Sequence, residues 1–560
     1  MPTSPTRLAP LPIADTHDVQ NQVPPLTGYN LFLTDRVLVE AVRREGAGWA
    51  ERQISELGHL LGSHEAQRWG FEANENKPVL HTHDATGNRR DEVVFHPAWH
   101  NLMRASIEHK LHSLPFMHKR VGANVARAAK LMITVQNEAG HTCPISMTFS
   151  GMAALRVEPD LASEWEAKVL APTYDPRFLP AREKSGALLG MGMTEKQGGS
   201  DVRANTTRAE RLSDRGREFL ITGHKWFISA PMCDAFLILA QAPKGLTCFL
   251  LPRWTPSGDK NNFHIQRLKD KMGNRSNASG EVEFASAWAR QVGEEGRGVS
   301  TIIEMVNHTR LDCAIASAGL MRQALVQAVH HCRHRQAFGK LLIEQPLMRQ
   351  VLADLTVESE AATLLVARLA ASFDARAADA QGRAFSRIAT AICKYWLCKR
   401  SPLHVGEALE CLGGNGYVEE SIMPRLYREA PLYGIWEGSG NVICLDILRA
   451  LSKDPATAEA LLAELKTTAG ADPRLDRFVA TIQADLHDIL KPSSGKIGGH
   501  ESRARRLAER LALALQASLV VRHGRSEVAE AFLASRIAGD HGHTFGTLPE
   551  ESKIATILEG

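Results

Sequence analysis

The spacing of apolar residues changes along the chain and predicts four regions. From residue 30 to about 184, apolar residues recur at helical spacing, as in LTDRVLVEAVRREGAGW. From 185 to about 298, short β-rich runs such as EFLITG and TCFLLPRW are divided by Gly, Pro, Asp and Asn. Long helical segments that suit a bundle return from 299 to about 452. A further helical region runs to the end of the chain, and a Gly- and Ser-containing break divides it at 491–502.

These patterns predict an α+β fold with four domains. We expect an N-terminal arm and helical domain over 1–184, a small antiparallel β domain or barrel over 185–298, a helical bundle over 299–452, and an extra C-terminal helical domain over 453–560. The first residues, roughly 25 of them, are Pro-rich and polar, which predicts a mobile arm.

Composition narrows the class of protein. The 560 residues are 44 % hydrophobic and 23 % charged, as in an ordinary globular protein. A net charge of +3 is too small for a general electrostatic attraction to nucleic acid or membrane. The nine cysteines are irregularly spaced without a ligand pattern, which favours the reducing cytoplasm. No apolar run is long enough to span a bilayer, so we expect no membrane partner.

The richest segment for chemistry is MGMTEKQGGSDVRANTT, followed downstream by GHKWFIS. Two glycines, Gly198 and Gly199, allow backbone amides to approach a ligand closely. Thr194, Gln197 and Ser200 add short polar groups beside them. An aromatic side chain and a hydroxyl end the second strand of the segment, at Phe227 and Ser229. This combination suits a flat ring system with polar edges better than a phosphate alone.

A second segment, Tyr433 to Asn441, reads YGIWEGSGN. An arbitrary Glu is most often a solvated surface residue, but Glu437 follows Ile-Trp and precedes Gly-Ser-Gly, which indicates a buried loop entering a helix. A carboxylate in a dry apolar pocket has a raised pKa and is a better base near neutral pH.

Both segments resemble those of the acyl-CoA dehydrogenase family, the first its flavin-binding loop and strand, the second its Tyr-Glu-Gly-Thr segment. The resemblance implies FAD as cofactor and Glu437 as the base that removes the α-proton of an acyl thioester while hydride leaves the β-carbon for the flavin. It also implies that Ser439 and Asn441 contact the flavin. The flavin-binding residues that it implies in the two segments are Met191, Met193, Thr194, Gln197, Gly198, Gly199, Ser200, Phe227, Ile228, Ser229, Ile435, Trp436, Gly438, Ser439, Gly440 and Asn441.

Two further motifs agree with the family in order and spacing. The RQAFG element resembles one whose Arg meets the FAD pyrophosphate of a neighbouring subunit, which implies cofactor contacts by Arg335 and Phe338. A guanidinium fork also matches a diphosphate geometrically. The GGNG turn, with Gly413 and Gly414, resembles the turn that approaches the adenine half. DKMGNRSNAS at 270–279 resembles a fifth family segment on the β domain.

Several alternatives concern single residues. Some family members carry the base on another helix just before an Arg, but the matching residue here is Thr309, which cannot serve as that base. Related nitroalkane-oxidising proteins have Asp at the Glu437 position and related monooxygenases lack the carboxylate, so Glu437 favours dehydrogenase chemistry. His330, His331 and His334 could suggest a metal site, but no carboxylate lies at ligand spacing, and we expect no metal.

Departures from typical dehydrogenases point to one subfamily. Lys196-Gln197 replaces the usual Pro-Gly of the loop, the N-terminal part differs, and about 110 residues follow the bundle. Together these features resemble the AidB subfamily of the bacterial response to DNA alkylation. That resemblance implies FAD, a homotetramer, sequence-tolerant binding of double-stranded DNA through the C-terminal region, and weak acyl-CoA dehydrogenase activity.

The C-terminal region supports DNA binding only in part. Residues 451–560 contain 14 Lys/Arg and 15 Asp/Glu, so the region is not basic as a whole. Arg503, Arg506 and Arg510 line up on one helix beside an apolar stripe of leucines. This pattern also fits a solvated helix face next to a core. The DNA-binding residues that we predict with the help of the resemblance are Arg449, Lys453, Arg503, Arg506, Arg510 and Arg522.

Three hypotheses follow. The favoured one is a DNA-binding flavoprotein of the alkylation response that keeps a dehydrogenase-like active site. The second is a metabolic acyl-CoA dehydrogenase whose C-terminal region only supports its assembly. The third is a DNA-binding protein with a vestigial flavin site, against which the intact Glu437 weighs.

Overall fold

A computed structural model describes residues 16–214, 216–376, 379–490 and 500–559. The predictions for the first fifteen residues of the arm and for most of the 491–502 break lie outside these ranges. The described part of the arm is not wholly free, because Asn21 Nδ2 donates to the carbonyl oxygen of Gln336 at 2.9 Å. A ring nitrogen of His330 lies 2.8 Å from the carbonyl oxygen of Pro24.

The N-terminal region is helical, as the spacing predicts, and its helix starts follow local capping rules. Ser63, for example, accepts a hydrogen bond from the Ala66 amide at the start of the third helix. The helices are α1 (Arg36–Arg44), α2 (Glu51–Leu61), α3 (His64–Glu75), α4 (Pro97–Glu108), α5 (Leu114–Met117), α6 (Ala123–Asn137), α7 (Thr142–Leu155) and α8 (Pro159–Val169).

An antiparallel hairpin interrupts this helical region. Strands β1 (Val79–His83) and β2 (Arg89–Val94) pair with Val79 opposite Val94. The helical spacing of the flanking segments did not reveal this hairpin, because its strands are short and mostly polar.

The predicted small β domain is present, and five of its strands close into a ring. The strands are β3 (Leu189–Gly192), β4 (Arg208–Arg211), β5 (Glu218–Ser229), β6 (Ala235–Ala242), β7 (Gly245–Pro252), β8 (Phe263–Leu268) and β9 (Ser279–Val292). The sheet order is β3-β6-β4-β5-β9-β7, and β6 also pairs with β7, which closes the ring. Most pairings are antiparallel as expected, but β3 and β4 each run parallel to β6.

Three long helices form the predicted bundle, and shorter ones complete it. Their buried faces are continuous with the hydrophobic core of the rest of the chain. The helices are α9 (Gly298–His334), α10 (Pro346–Ala375), α11 (Ala380–Glu410), α12 (Gly414–Tyr417), α13 (Met423–Glu429) and α14 (Gly440–Lys453). A two-residue strand pair, β10 (Gln336–Ala337) and β11 (Lys340–Leu341), follows α9.

The C-terminal helices share the core of the bundle. Trp396 on α11 donates from Nε1 to Gln516 Oε1 at 2.7 Å, and both side chains are buried. Arg525 pairs with Glu360 at 2.5 Å, and Arg536 pairs with Asp354 on α10. The helices of this region are α15 (Pro455–Lys466), α16 (Pro473–Leu490), α17 (Ala504–His523), α18 (Ser526–Phe532) and α19 (Ile554–Glu559).

Within the described ranges, no helix is both long enough and apolar enough to cross a membrane.

A buried ion pair anchors the loop that follows β3. Lys225 Nζ lies 2.8 Å from Glu195 Oε1, and neither side chain reaches solvent. The same carboxylate accepts hydrogen bonds from the amides of Thr206 and Thr207. Burial by itself raises the pKa of Glu195, but Lys225 and the Thr206 and Thr207 donors bring that pKa down to about 2. The charged Glu195 carboxylate, with its hydrogen bonds and its ion pair, therefore fixes the loop backbone after Thr194.

Lys225→Met should leave the Glu195 carboxylate buried without its cation. We expect the apparent free energy of unfolding, measured by urea denaturation, to fall by about 3 kcal/mol. Lys244→Met, at an exposed lysine of the same domain, should change it by less than about 0.5 kcal/mol. Equal small effects of both substitutions would contradict this account of the loop.

Candidate functional site

Glu437 stands on the segment between α13 and α14, in a left-handed backbone conformation with φ of +57°. Its carboxylate oxygen Oε2 accepts a hydrogen bond from Thr309 Oγ1 at 2.7 Å. Arg310 Nε donates to the backbone carbonyl oxygen of Glu437 at 3.1 Å. Two adjacent residues of α9 therefore hold the side chain and the main chain of Glu437.

Two buried cations, Lys394 and Arg310, also fix the turn that carries Glu437. Lys394 on α11 is almost fully buried, and its ammonium donates to the carbonyl oxygens of Trp436 at 3.0 Å and of Gly438. Arg310 also pairs with Asp446 at 2.7 Å. A strained φ persists only where its surroundings fix it, and these contacts fix the residue that carries the carboxylate.

The electrostatic environment of Glu437 favours a base. Burial raises the pKa of its carboxyl group above the ordinary value. The Thr309 hydrogen bond and the positive charges of Arg310 and Lys394 lower this pKa, but only in part. A raised pKa brings proton affinity closer to neutral pH, where general bases are most effective.

Sequence reasoning named Thr309 only as an unsuitable base and did not mention Lys394. The structure brings the two alternative base positions together, because the hydroxyl at one donates to the carboxylate at the other. The Thr309-Arg310 pair was thus a usable signal, whereas the Lys394 contact depends on how α11 packs against the 436–438 turn and has no local sequence signature.

The predicted flavin loop presents backbone and small polar groups at the surface. Gly198 has a φ of +130°, and a Cβ built there meets no atom within 4 Å, so the loop has an open face. A Cβ on Gly199 would lie only 2.4 Å from Thr194 Oγ1, which shows that the Thr194 hydroxyl lies against the loop backbone. Gln197 is bonded to Asn205 at 3.0 Å, and Ser200 is exposed. Met191 and Met193 pack against the core and are partly exposed.

The end of β5 lies close to the start of α7. Phe227 is half-exposed, whereas Ile228 is buried in the core, so only the backbone of Ile228 can face a ligand. The thiol of Cys143 contacts the side chains of Ser229 and Asn277 and lies within electrostatic reach of Glu437. Cys143 thus connects the predicted flavin strand with the predicted base, a contact that no local sequence pattern indicates.

The residues that flank Glu437 include groups that could contact a ligand. Ile435 is 67 % exposed. The Trp436 indole N–H is buried and makes no hydrogen bond to any described residue. Ser439 precedes α14 without capping it through its side chain, and Gly440 begins that helix. Asn441 Oδ1 accepts from Arg505 Nε of α17 at 2.8 Å.

The remaining predicted cofactor residues lie at the far end of α9. Arg335 follows Thr309 by 26 residues, which corresponds to about 39 Å of helix. Arg335 is bonded to the carbonyl oxygen of Asn21. Phe338 is 98 % exposed. The turn with Gly413 and Gly414 lies near this end, because Cys332 Sγ is 4.0 Å from the carbonyl oxygen of Cys411.

The predicted residues therefore form two separate clusters in one chain. Glu437, the flavin loop and the end of β5 form the first, and Arg335, Phe338, Gly413 and Gly414 form the second. Along α9 the two clusters are about 39 Å apart, which is far for one dinucleotide to extend within a single chain. The donor set still fits FAD if a second copy of the chain supplies the second cluster, and the almost fully exposed Phe338 is consistent with such coverage.

The predicted DNA-binding residues fall into two groups, those that pair with a carboxylate of the chain and those that do not pair with any described residue. Arg503 pairs with Asp488 at 2.9 Å, Arg510 with Asp485 at 2.7 Å, and Arg522 with Glu464 at 2.7 Å. Arg449, Lys453 and Arg506 are exposed and form no ion pair within the described part of the chain. Arg503, Arg506 and Arg510 line one surface cavity of about 200 Å³ between α14, α16 and α17. Arg522 lies away from this cavity, beside Arg368.

Comparison with known proteins gives three family matches along the chain. Residues 21–176 match the model of the adaptive response protein AidB N-terminal domain. Residues 190–287 match the acyl-CoA dehydrogenase middle domain, and residues 296–452 match the acyl-CoA dehydrogenase C-terminal domain.

Individual relatives agree with these matches. The acyl-CoA dehydrogenase-like protein AidB of Escherichia coli (strain K12) is 48 % identical over 84 % of this chain and 87 % of its own length. Acyl-CoA dehydrogenase family member 11 of Caenorhabditis elegans is 30 % identical over 84 % of this chain and 79 % of its own length. The crystal structure of Caenorhabditis elegans ACDH-11 in complex with C11-CoA superposes with a TM-score of 0.83 at 26 % identity, covering 97 % of this chain and 98 % of that one.

Thr309→Val should raise the pKa of Glu437 further. The substitution removes the hydroxyl that stabilises the ionised carboxylate and leaves the effect of burial unopposed at that oxygen. Infrared titration, with Glu437→Gln as the subtracted reference, should show the carboxyl band persisting to higher pH than in the wild type. Thr309→Ser retains the donor and should titrate like the wild type; an unchanged titration of the valine variant would contradict the assignment.

Proposed function

The chain belongs to the AidB group of the acyl-CoA dehydrogenase family, and from that premise we propose that it oxidises an acyl thioester at Glu437, binds double-stranded DNA, and acts in the response to DNA alkylation. It is an FAD-dependent oxidoreductase of the acyl-CoA dehydrogenase type. We further propose that the protein assembles into a homotetramer.

The observation that carries the enzymatic part is the hydrogen-bonded, partly buried Glu437 carboxylate. Its raised pKa suits it to take the α-proton of an acyl thioester through a side-chain oxygen. Thr309 orients the carboxylate, while Lys394 and Arg310 keep the turn from moving. When bound, FAD supplies the group that accepts hydride from the β-carbon.

The residues that would hold FAD come from two copies of the chain. The flavin loop, Ser229 and the 435–441 segment would hold the flavin end beside Glu437. Arg335 of a second copy would contact the pyrophosphate, for which its guanidinium has the matching geometry. The separation of about 39 Å along α9 between Thr309 and Arg335 supports this division, because the two predicted parts of the site lie far apart within one chain.

The DNA-binding part rests on the C-terminal surface. Arg449, Lys453 and Arg506 are exposed cations without protein partners among the described residues, so phosphates could engage them at no cost in broken ion pairs. Binding through phosphates would be sequence-tolerant and steeply dependent on salt. A tetramer would present several such surfaces and gain from avidity.

One observation favours a second candidate function, a metabolic acyl-CoA dehydrogenase without a DNA role. Arg503, Arg510 and Arg522 are each paired with a carboxylate of the same chain. On this alternative the C-terminal arginines stabilise the fold, and only the Glu437 site is functional.

Glu437→Gln should leave FAD bound and abolish reduction of the flavin by an acyl-CoA. The amide keeps the shape and can still accept from Thr309, but it cannot take a proton, so the anaerobic reduction rate should fall by at least about 10²- to 10⁴-fold. Stopped-flow absorbance measures the rate, and Glu420→Gln, at an exposed position, serves as the control. Reduction at the wild-type rate would remove Glu437 as the base.

Removal of Arg449, Lys453 and Arg506 together, each by substitution with Ala, should weaken binding of duplex DNA. The slope of log K against log salt should decrease by about 0.9 for each phosphate that the protein no longer neutralises. Titrations by fluorescence anisotropy at several salt concentrations measure this slope. Charge substitutions are preferable to truncation, because the C-terminal helices share the core of the bundle.

The matched control is a triple Ala substitution of three exposed arginines of the N-terminal helices, Arg36, Arg52 and Arg68. It removes the same charge elsewhere on the surface and should leave the slope unchanged. If the wild type does not bind DNA, or if both triple variants lose the same affinity, the metabolic alternative replaces the DNA-linked function.

A further inference from the structure

Ser146 differs from its neighbours on α7. The residues on either side of it, from Thr142 to Met152, are buried, whereas Ser146 is partly exposed, so open space reaches this point of the helix. Its hydroxyl donates a hydrogen bond to Asp312 Oδ2 on α9. As a donor in that bond, Ser146 Oγ keeps its lone pairs available to accept a hydrogen bond from a ligand.

Asp312 belongs to a charged pair that is almost completely removed from solvent. Arg127 on α6 approaches it with both terminal nitrogens, at 2.5 and 2.7 Å, and the Asp312 and Arg127 side chains are 6 % and 1 % exposed. Arg127 Nε donates in addition to the carbonyl oxygen of Leu111 at 2.7 Å. The pair is neutral as a unit and fixed in position.

This polar cluster lies one helical turn from the catalytic machinery on both helices. On α9, Thr309 bonds to Glu437, and Asp312 follows at i+3 on the same side. On α7, Cys143 contacts Ser229 of the flavin strand, and Ser146 follows at i+3. Two facing helices therefore present first the groups at the reacting centre and then, about 5 Å further on, Ser146 and Asp312.

We propose that the acyl end of the substrate site is polar and takes a short acyl chain that ends in a neutral hydrogen-bond donor, a hydroxyl or an amide N–H. The donor is received by Ser146 Oγ, which its own hydrogen bond to Asp312 holds in place. This inference rests on the proposed function, in which Glu437 acts on an acyl thioester, and it names the substrate class of that site.

The charge and polarity of the cluster select the ligand. A carboxylate at the chain end would find no free hydrogen-bond donor, because Ser146 already donates its hydroxyl proton to Asp312 and Arg127 is engaged by the same residue. A long alkyl chain would cover Ser146 Oγ and displace water from its free lone pairs without offering a hydrogen bond in return, which costs free energy. A neutral hydrogen-bond donor about one helical turn from the reacting centre avoids both of these disadvantages.

The experiment compares three thioesters as ligands of the FAD-loaded Glu437→Gln variant, in which turnover is blocked: 4-hydroxybutyryl-CoA, butyryl-CoA and decanoyl-CoA. Isothermal titration calorimetry gives each dissociation constant. We expect 4-hydroxybutyryl-CoA to bind about 3- to 10-fold more tightly than butyryl-CoA, the worth of one hydrogen bond, and decanoyl-CoA to bind more weakly than either.

Ser146→Ala, added to this variant, should bring the ratio between the first two ligands to about one. Ser150→Ala is the matched control, because Ser150 lies one turn further along α7, is buried, and makes no side-chain hydrogen bond to a described residue. Since the readout is a ratio, a general loss of affinity does not mimic the effect.

Tightest binding of decanoyl-CoA, or a ratio unaffected by Ser146→Ala, would overturn the inference. Failure of all three thioesters to bind, with FAD retained, would instead remove the acyl thioester function and the inference with it.

Discussion

The contacts that cations from two helices make with the main chain at residues 436–438 are the constraint on which the site depends. Lys394 of α11 and Arg310 of α9 donate to carbonyl oxygens on both sides of the Glu437 side chain. A positive φ costs free energy in a residue other than glycine, and Glu437 keeps it because these hydrogen bonds offset that cost. The carboxylate is thereby aimed at Thr309, and the polar cluster around Asp312 lies one turn further along α9. The base and its surroundings are thus positioned as one rigid unit.

Helix length sets a second constraint. α9 extends from the neighbourhood of the base to the Arg335 element, so its two ends present different halves of the predicted cofactor site. Within a single chain the two halves of the predicted cofactor site therefore lie far apart. The proposed cofactor site therefore needs a second copy of the chain, and the exposed aromatic ring of Phe338 is consistent with a contact to that copy.

Sequence reasoning identified the fold, and it predicted the segments of the site, because both depend on local pattern. Helical spacing, β-rich runs and glycine-containing loops can be recognised from consecutive residues. The comparisons confirm the fold and the family. Contacts between distant segments were not accessible in this way. The Thr309–Glu437 bond, the Lys394 contact and the pairing of Arg503 and Arg510 with carboxylates depend on how helices cross. The β1–β2 hairpin was missed because its short polar strands lack a clear alternation.

The shared core of bundle and C-terminal helices bears on how such a chain could arise. Trp396 of α11 and Glu360 of α10 face the C-terminal region, and the side-chain partners that bond them within the described ranges, Gln516 and Arg525, belong to that region. An ancestor that lacked those helices would have exposed or stranded these groups. The faces of α10 and α11 that the C-terminal helices cover are therefore coupled to those helices, because a substitution on one side leaves a buried polar group on the other without its partner.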